Sequence, residues 1–546
     1  MRSHLPFLIL ALGSLAVSVT AQTTTPTWTG WRLYAENDTF AWTRETTDRH
    51  YTHGTRVALR RSQPETWSLS KRTFDLCPTF LCPAKPEIRR DEVVSTFVIG
   101  QNQYTPKDIT SFLPDPEDRP FAGYLYAGVN TTIGAEIQAE ALWSAVKIIP
   151  ETTIEMDLGV LGSPSLAGSA QATVHVLRES RIPRGWHAQI GPEPTAQLLY
   201  ANRVGLRLHP LAHPVLPQLE VTPSVRGALG TVQVFGAAGV TLRAGWNLTG
   251  LATNIIPIAY DLGAPHSWGL SASFGWERRW WARNAFLDGG ILGEPPSADR
   301  QPHNTDVRWS VELRVDPFTM TYTDVERTQE LASGPFSGPD HRFGSLALAY
   351  TAGTTSKVGR WLALGLEHLV LDAGMGVGVS SDGTLARGGR AMRVAAGLDF
   401  GRWGVSFVDM SGVVDEARGP EADGTHQDDF YITKGFSAWV APLLHLKIGR
   451  PLLRVGMGRP LVKHQTMRGE EIEDEEVIQD GWRPFLGIGL EIPLGASKEV
   501  QLGIETTWSP VSLSDRRGDG PQGEFLTTLV GLKWRPRFPA AHHDEP

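Results

Sequence analysis

The chain has 546 residues, of which 41% are hydrophobic and 20% charged, and its mean hydropathy is −0.18. This composition is too polar for a bundle of membrane helices and too apolar for a disordered chain, and the length predicts at least two structural units. Lys and Arg number 51 against 59 Asp and Glu, and this weakly acidic balance argues against nucleic-acid binding. Two cysteines exclude a disulfide-rich scaffold and four-cysteine zinc or iron–sulfur sites.

The first 21 residues have the pattern of a secretory signal peptide. Arg2 precedes an apolar run over residues 5–19, and small residues follow up to Ala21. We expect cleavage near Ala21, and an uncleaved anchor helix is the alternative. A secreted chain meets an oxidising compartment, so Cys77 and Cys82 are expected to form a local disulfide.

Apolar and polar residues alternate along most of the remaining chain, for example over residues 153–160, 308–315 and 501–508. Successive side chains of a strand point to opposite faces, so this pattern gives one apolar face and one polar face. Together with the signal peptide, segments of about ten residues that end near tryptophans predict a transmembrane β-barrel. A periplasmic β-sandwich is the alternative.

The number of alternating segments predicts two barrels. About twelve segments lie between residues 29 and 350 and about eight between residues 361 and 538, with a Gly/Thr/Ser-rich junction between them. We therefore predict an all-β fold with a signal peptide (1–21), a twelve-stranded barrel with a short rim helix (22–353) and a smaller, eight-stranded barrel (354–546). A single twenty-stranded barrel is the competing interpretation. Residues 470–480 carry seven acids and no base, and we interpret them as a surface loop, either solvated or used for attachment.

One segment after residue 161 departs from the strand pattern and predicts a helix. Ser163 suits an N-cap and Pro164 suits the first helical position. Gln171 and His175 are four residues apart, so they share one face of this helix. A histidine on a short helix at a barrel rim is a candidate catalytic group, and a purely structural histidine is the alternative.

Polar clusters recur at the ends of neighbouring segments, where the sequence reads ENDTF (36–40), TDRHYTHG (47–54), GQNQYTPKDI (100–109) and EDRPFAGYLYAG (117–128). If strand directions alternate, these clusters meet at one rim. Oxygen donors such as Asn, Asp and Thr suit calcium better than zinc. Each cluster by itself also fits a loop cap.

Taken together, these clusters, the Gln-x-x-x-His helix and PRGWHAQ (183–189) make the region from Trp31 to Tyr350 resemble the outer-membrane lipid A 3′-O-deacylase family. The resemblance includes the segment FGSLALAY (343–350), which looks like the closing strand of that family. It implies a twelve-stranded barrel that hydrolyses the ester of the 3′ acyloxyacyl group of lipid A. The implied reaction depends on calcium, and a histidine takes the proton from water.

The resemblance also implies roles for individual residues. His175 matches the general base and Gln171 its helix partner, and Thr52 matches a hydroxyl on the second strand. Asn37 and Asp38 match the pair at the end of the first strand, where they would hold calcium. Because lipid A carries phosphates, Arg119 and Lys107 near the rim are candidate substrate contacts. Salt bridges within the loop are the alternative for both.

The expected substrate is lipid A of lipopolysaccharide, and the expected location is the outer membrane of a Gram-negative bacterium, with no nucleic-acid partner. The sequence leaves the oligomeric state open. A non-catalytic barrel, either a pore or an adhesin scaffold, is the alternative function. A serine-nucleophile phospholipase is disfavoured, because Ser163 and Ser165 lack the glycine-elbow sequence.

Overall fold

A computed structural model describes twenty-one segments of the chain. They are residues 28–41, 50–61, 93–112, 115, 117–134, 137–138, 146–177, 183–208, 216–252, 268–292, 299–332, 341–351, 368–380, 389–400, 402–415, 425–441, 449–468, 471–479, 481–494, 500–512 and 522–534. The predicted signal peptide and the predicted disulfide of Cys77 and Cys82 lie outside these residues.

The N-terminal part forms a closed barrel of twelve long antiparallel strands, as predicted. Each strand pairs with the next along the chain, β13 pairs back with β1, and the two-residue strand β5 lies beside β6. The strands are β1 (Trp28–Asn37), β2 (His50–Arg61), β3 (Val93–Thr105), β4 (Ala122–Gly134), β5 (Ile137–Gln138), β6 (Val146–Leu161), β7 (Glu193–Leu208), β8 (Gln218–Gly230), β9 (Gln233–Trp246), β10 (Trp268–Asn284), β11 (His303–Val315), β12 (Phe318–Arg327) and β13 (His341–Thr351).

Among the described residues of this barrel, short helical segments lie in the connections between strands. In the part of the barrel that the structure describes, these are helix α1 (Ala167–Leu177), the one-turn helix α2 (Ala285–Asp288) and three 3-10 turns, Asp38–Phe40, Ser163–Ser165 and Gly185–Ala188. The helix begins later than the Ser163 N-cap predicted, because residues 163–165 form a 3-10 turn and Leu166 adopts a left-handed conformation with φ 61°. Within the described ranges, no helix has the length and apolar composition needed to cross a membrane.

The C-terminal part forms a second closed barrel of eight strands, also as predicted, so the single twenty-stranded barrel is excluded. The barrel closes through pairing of β14 with β22, and β19 is an additional edge strand on β18. The strands are β14 (Leu369–Ser380), β15 (Gly389–Asp399), β16 (Trp403–Asp415), β17 (Thr425–Val440), β18 (Arg450–Arg468), β19 (Glu471–Gln479), β20 (Arg483–Leu494), β21 (Val500–Ser512) and β22 (Gln522–Trp534).

The acidic segment predicted as a loop is mostly a strand. Glu471–Gln479 pairs in antiparallel register with the last part of β18, from Leu461 opposite Gln479 to Arg468 opposite Glu471. The loop interpretation is therefore wrong for residues 471–479, because main-chain pairing with the long strand β18 outweighs the local charge. Charged side chains are a common feature of edge strands, where they oppose pairing with another chain.

The two faces of each barrel wall differ as the alternation predicted. Along β10, Ser273 and Glu277 are buried and face the lumen, whereas Trp276 and Trp280 face outward and are exposed. The lumen is occupied by ion pairs, such as Arg226 with Glu277 at 2.5 Å. Buried charges are tolerated when they are paired in this way, and the apolar outer face suits lipid.

Strand directions alternate, so the polar connections predicted to meet do lie on one rim. This rim, called the helix rim below, carries the connections that follow β1, β3, β6, β8, β10 and β12. The strand pairing, rather than any single motif, therefore brings the ends of β1 and β3 together with the segment that contains α1.

Candidate active site

Four residues form a row across adjacent strands just below the helix rim. Asn37 of β1 is paired with His53 of β2, His53 with Gln103 of β3, and Gln103 with Gly123 of β4. Leu33 lies four residues before Asn37 on the same face of β1 and is exposed to the outside. The whole row therefore faces outward, toward lipid.

Helix α1 begins on this outer wall. The side-chain Nε2 of Gln101 donates to the main-chain oxygen of Ser165 at 2.7 Å, just before the helix starts. A Cβ atom at Gly123 would collide with the side chains of Ser165 and Ala167, so the close approach requires glycine here. Gln103 faces outward yet is buried, which is consistent with cover from the segment that lies against β3 and β4.

The turn that follows α1 fixes the orientation of Gln171. The indole Nε1 of Trp186 donates to Oε1 of Gln171 at 2.8 Å. The Trp186 ring also packs on Phe121, with ring centroids 5.0 Å apart, in a cluster that includes Ile109 and Ala167. Ile109, Phe121 and Trp186 thus hold the start of the helix from one side.

The 3-10 turn Asp38–Phe40, directly after β1, lies against the same outer wall from the other side. The hydroxyl of Tyr322, on β12, donates to the main-chain oxygen of Phe40 at 2.8 Å. A side chain at Gly344 of β13 would collide with the main chain of Phe40, so this glycine also permits a close approach. The 3-10 turn Asp38–Phe40 and helix α1 therefore flank the outward face of β1, β2 and β3.

Of the residues predicted for catalysis, Asp38 lies on the turn, and Gln171 and His175 lie on helix α1, whereas Asn37 and Thr52 belong to β1 and β2. Asp38 is 2% exposed, Gln171 is 3% exposed and His175 is 6% exposed, while Asn37 is half-buried at the end of β1. Thr52 is the extra residue of a β-bulge between Tyr51 and His53, next to the partner of Asn37. Oε1 of Gln171 is held by Trp186, and its Nε2 is buried with no hydrogen-bond partner among the described residues.

The two predicted substrate contacts differ in accessibility. The Arg119 side chain is fully buried, lies 3.3 Å from Glu330 and stacks over the ring of Tyr104 at 5.0 Å. This burial favours the salt-bridge alternative for Arg119. Lys107 is exposed on the helix rim.

Asp118 closes the loop that contains Lys107. Its Oδ2 accepts the main-chain N–H of Lys107 at 2.6 Å, and its Oδ1 accepts that of Arg119 at 2.7 Å. Burial raises the pKa of the Asp118 carboxyl above its ordinary value, although the two N–H groups act in the opposite direction. Asp118 in the EDRPFAG motif therefore has a structural role, which is to hold the loop main chain.

Sequence reasoning missed several polar groups of the outward patch. His53 Nε2 and Thr55 Oγ1 are 2.6 Å apart, and Gln103 Nε2 donates to Oε1 of Gln101 at 2.9 Å. All four residues lie within or beside the polar clusters of β2 and β3. The sequence of a cluster does not show which of its residues face outward and which face the lumen. The pairing register of the strands is needed to decide this.

The donor set at the end of β1 fits calcium. Asn37 and Asp38 supply amide and carboxylate oxygens, and calcium also accepts main-chain and water oxygens. Among the described residues, no group of three or more His, Cys, Asp or Glu is placed to hold a metal ion. A calcium shell here would therefore combine one or two side chains with main-chain, amide and water oxygens.

An apolar groove runs along the outer wall beyond the Asp38–Phe40 turn. Its volume is about 770 Å³, and Tyr322, which binds Phe40, is one of its lining residues. The other outward-facing side chains along it are mainly apolar, namely Leu219, Val221, Leu242, Phe274, Trp309 and Val311. A groove of this character can take an alkyl chain.

Comparison with known proteins gives one family. The family model described as outer membrane protein LpxR matches residues 7–352, more than half of the chain. LpxR from Salmonella typhimurium is 15% identical, with a TM-score of 0.45, and the match covers 59% of this chain and 99% of that chain. Neisserial surface protein A and Ail of Yersinia pestis are each 12% identical over 31% of this chain, with TM-scores of 0.23, covering 96% and 98% of their own chains. No curated protein sequence matches the chain.

These TM-scores are below 0.5, so the assignment depends on the family model. The matched residues include β1 to β13, helix α1 and all the predicted site residues, whereas the second barrel lies outside them. The match confirms the family resemblance found in the sequence, and the family description together with the closed barrels assigns the protein to the outer membrane. The chain belongs to the LpxR family of outer membrane proteins.

Proposed function

We propose that the protein hydrolyses the 3′-linked acyloxyacyl ester of lipid A in the outer membrane, in a calcium-dependent reaction with His175 as general base. The observation that carries the proposal is that helix α1 and the turn Asp38–Phe40 flank a polar patch on the outer wall. Lipid A is part of the leaflet that surrounds such a wall. Its ester can reach the patch from the membrane without entering the lumen.

The reaction requires a proton acceptor and stabilisation of an oxyanion. The imidazole of His175 accepts a proton from water while the water oxygen bonds to the carbonyl carbon. When the tetrahedral intermediate collapses, the bond to the sugar oxygen breaks and the imidazolium returns the proton to that oxygen. The products are the acyloxyacyl acid and lipid A with a free 3′-hydroxyl.

Gln171 is suited to bind the reacting group. Trp186 occupies its Oε1, so the amide presents Nε2, a hydrogen-bond donor, from a buried position. A donor aimed at the developing negative charge lowers the barrier most when it is preorganised. Calcium, when bound, would be held by Asn37 and Asp38 and would supply positive charge at the same oxygen.

The apolar groove on the outer wall is suited to bind an acyl chain. It starts next to the turn that contains Asp38, since Tyr322 both lines the groove and holds Phe40. A chain in this groove would leave its ester close to the polar patch. Lys107, exposed on the helix rim, is the accessible candidate for a lipid A phosphate.

The test is mass spectrometry of lipid A incubated with the detergent-solubilised full chain and calcium. We expect a mass loss equal to one acyloxyacyl group, which EDTA and His175→Ala abolish. His187→Ala is the matched control. His187 lies on the 3-10 turn Gly185–Ala188 that follows α1 and is exposed, so it should be dispensable for hydrolysis. Unchanged lipid A with folded wild-type protein contradicts the proposal.

The pore alternative has less support. In the second barrel, Arg393 lies 2.7 Å from Asp409 and 2.8 Å from Glu505, and all three face the lumen. Arg226 and Glu277 make a comparable pair in the first barrel. Networks of this kind occupy the space that a conducting channel would need.

A further inference from the structure

Helix α1 has a second neighbour besides the wall of its own barrel. Strands β16 and β17 of the C-terminal barrel contact the helix. On its other side, α1 lies against β3 and β4 of the N-terminal barrel. The helix that carries Gln171 and His175 is therefore held between the outer walls of the two barrels.

The exposure of side chains on β16 supports this arrangement. Met410 faces outward, because it pairs with Val394, which is outward and 50% exposed. Met410 itself is only partly exposed, whereas Phe407 on the same strand is 63% exposed. Met410 is therefore less accessible than Phe407, and helix α1 is an element outside the second barrel that contacts this strand.

A helix in this position needs support from outside. It has eleven residues, and isolated helices of that length are marginal. The N-terminal barrel holds the helix at two places. Trp186 binds Gln171 in the first half of the helix, and Gly123 lies against Ser165 and Ala167 at its start. His175 lies in the last turn, beyond these anchors.

We propose that the C-terminal barrel is an intramolecular brace that positions α1, and through it His175, against the wall of the N-terminal barrel. The effect on the position of His175 rests on the function proposed above. The contact between α1 and strands β16 and β17 does not depend on that function. The brace gives the second barrel a role in the reaction although it contributes no group to the chemistry. Met410 acts as a positioning residue.

The contact is tested without any activity measurement. Single cysteines at Val174, which is exposed on α1, and at Met410 are introduced into the full chain with Cys77 and Cys82 changed to Ser. A short bis-maleimide should join them within one chain, as detected by mass spectrometry of the linked peptides. The control pair uses Val174 with Ile488, which is exposed on β20 of the same barrel. A link in the control pair only, or in neither pair of the folded protein, overturns the proposal.

The positioning effect is tested with Met410→Trp and the matched variant Ile488→Trp, with lipid A as substrate. A bulky ring at Met410 should displace α1 and lower kcat by about tenfold to a hundredfold with little change in KM, because small misplacements of a catalytic group are costly. Met410→Leu should retain activity, and so should Ile488→Trp. A change in KM alone, or equal kcat in both Trp variants, contradicts a positioning role.

The two proposals fail in different ways. If the wild-type protein leaves lipid A unchanged but the Val174–Met410 link forms, the proposed reaction fails and the contact stands. If lipid A is hydrolysed but the link does not form, the reaction stands and the brace fails.

Discussion

Trp186 and Gln171 are joined by a hydrogen bond of 2.8 Å between the indole Nε1 and the amide Oε1, and this bond fixes the orientation of the amide. An unrestrained amide can present either its oxygen or its nitrogen to a neighbouring group. Because the indole N–H can only donate, it selects the amide oxygen and leaves Nε2 for the site. Trp186, which is not one of the proposed catalytic residues, thus determines which atom of the Gln171 amide is left for another partner.

Gln171→Glu should test the need for this donor. The variant keeps an oxygen that accepts from Trp186 but replaces the donor with an acceptor. We expect kcat to fall by about a hundredfold or more, since the loss of one oxyanion donor has effects of that size. Steady-state kinetics on lipid A measures this, and Trp186→Phe should give a smaller loss of about fivefold to tenfold. Full activity of Gln171→Glu would remove Gln171 from the mechanism.

Gly123→Val should displace the start of α1. The added side chain would collide with Ser165 and Ala167, while the β4 main chain can accept a β-branched residue. We expect loss of hydrolysis with a barrel that remains folded by circular dichroism and gel mobility. Val129→Leu, at an outward and exposed position on the same strand, is the control and should be active. Equal activity of the two variants would show that α1 need not lie close to β4.

Asp38→Asn should weaken the binding of calcium and leave the fold unchanged. Removal of one carboxylate charge lowers the affinity of an oxygen site for a divalent cation. We expect the calcium concentration for half-maximal hydrolysis to rise at least about tenfold. Asp108→Asn, an exposed change on the helix rim, serves as control. An unchanged calcium titration for Asp38→Asn would exclude this carboxylate from the shell.

The Arg119 and Lys107 variants should separate structure from substrate binding. Arg119→Met removes the Arg119 guanidinium that pairs with the buried Glu330. Breaking a buried ion pair typically lowers the free energy of unfolding by about 3–5 kcal/mol. It should lower the thermal midpoint of unfolding. Lys107→Ala should leave that midpoint unchanged and raise KM for lipid A. If instead Arg119→Met changes only KM, the phosphate contact applies to Arg119 after all.

Asp118 should give a small and specific pH dependence of stability. Its pKa is raised in the folded state, so the folded protein binds the proton more tightly than the unfolded chain. The stability from this group is therefore fully present below the ordinary carboxyl pKa and is lost as the pH rises through the folded pKa. Thermal unfolding of the wild type and Asp118→Asn across pH 4–8 should show the largest advantage of the wild type at the acidic end. A constant difference would contradict this assignment.

The sequence by itself determined the two-barrel organisation and the order of the strands. Alternation with a period of two residues is a local property, and strands such as β10 and β11 show it without reference to their neighbours. The same holds for helix α1, whose Gln171 and His175 share a face because of helical periodicity alone. The family motifs are likewise short stretches that can be compared residue by residue.

Only the tertiary structure decided which side of the wall each rim residue faces and what covers it. The outward row from Asn37 to Gly123 depends on the register of three strand pairs, and Arg119 is buried because Glu330, 211 residues away, lies beside it. The position of α1 between two barrels has the same origin. These features arise from contacts between segments that are remote in sequence, and a local pattern carries no information about which remote segment will be adjacent.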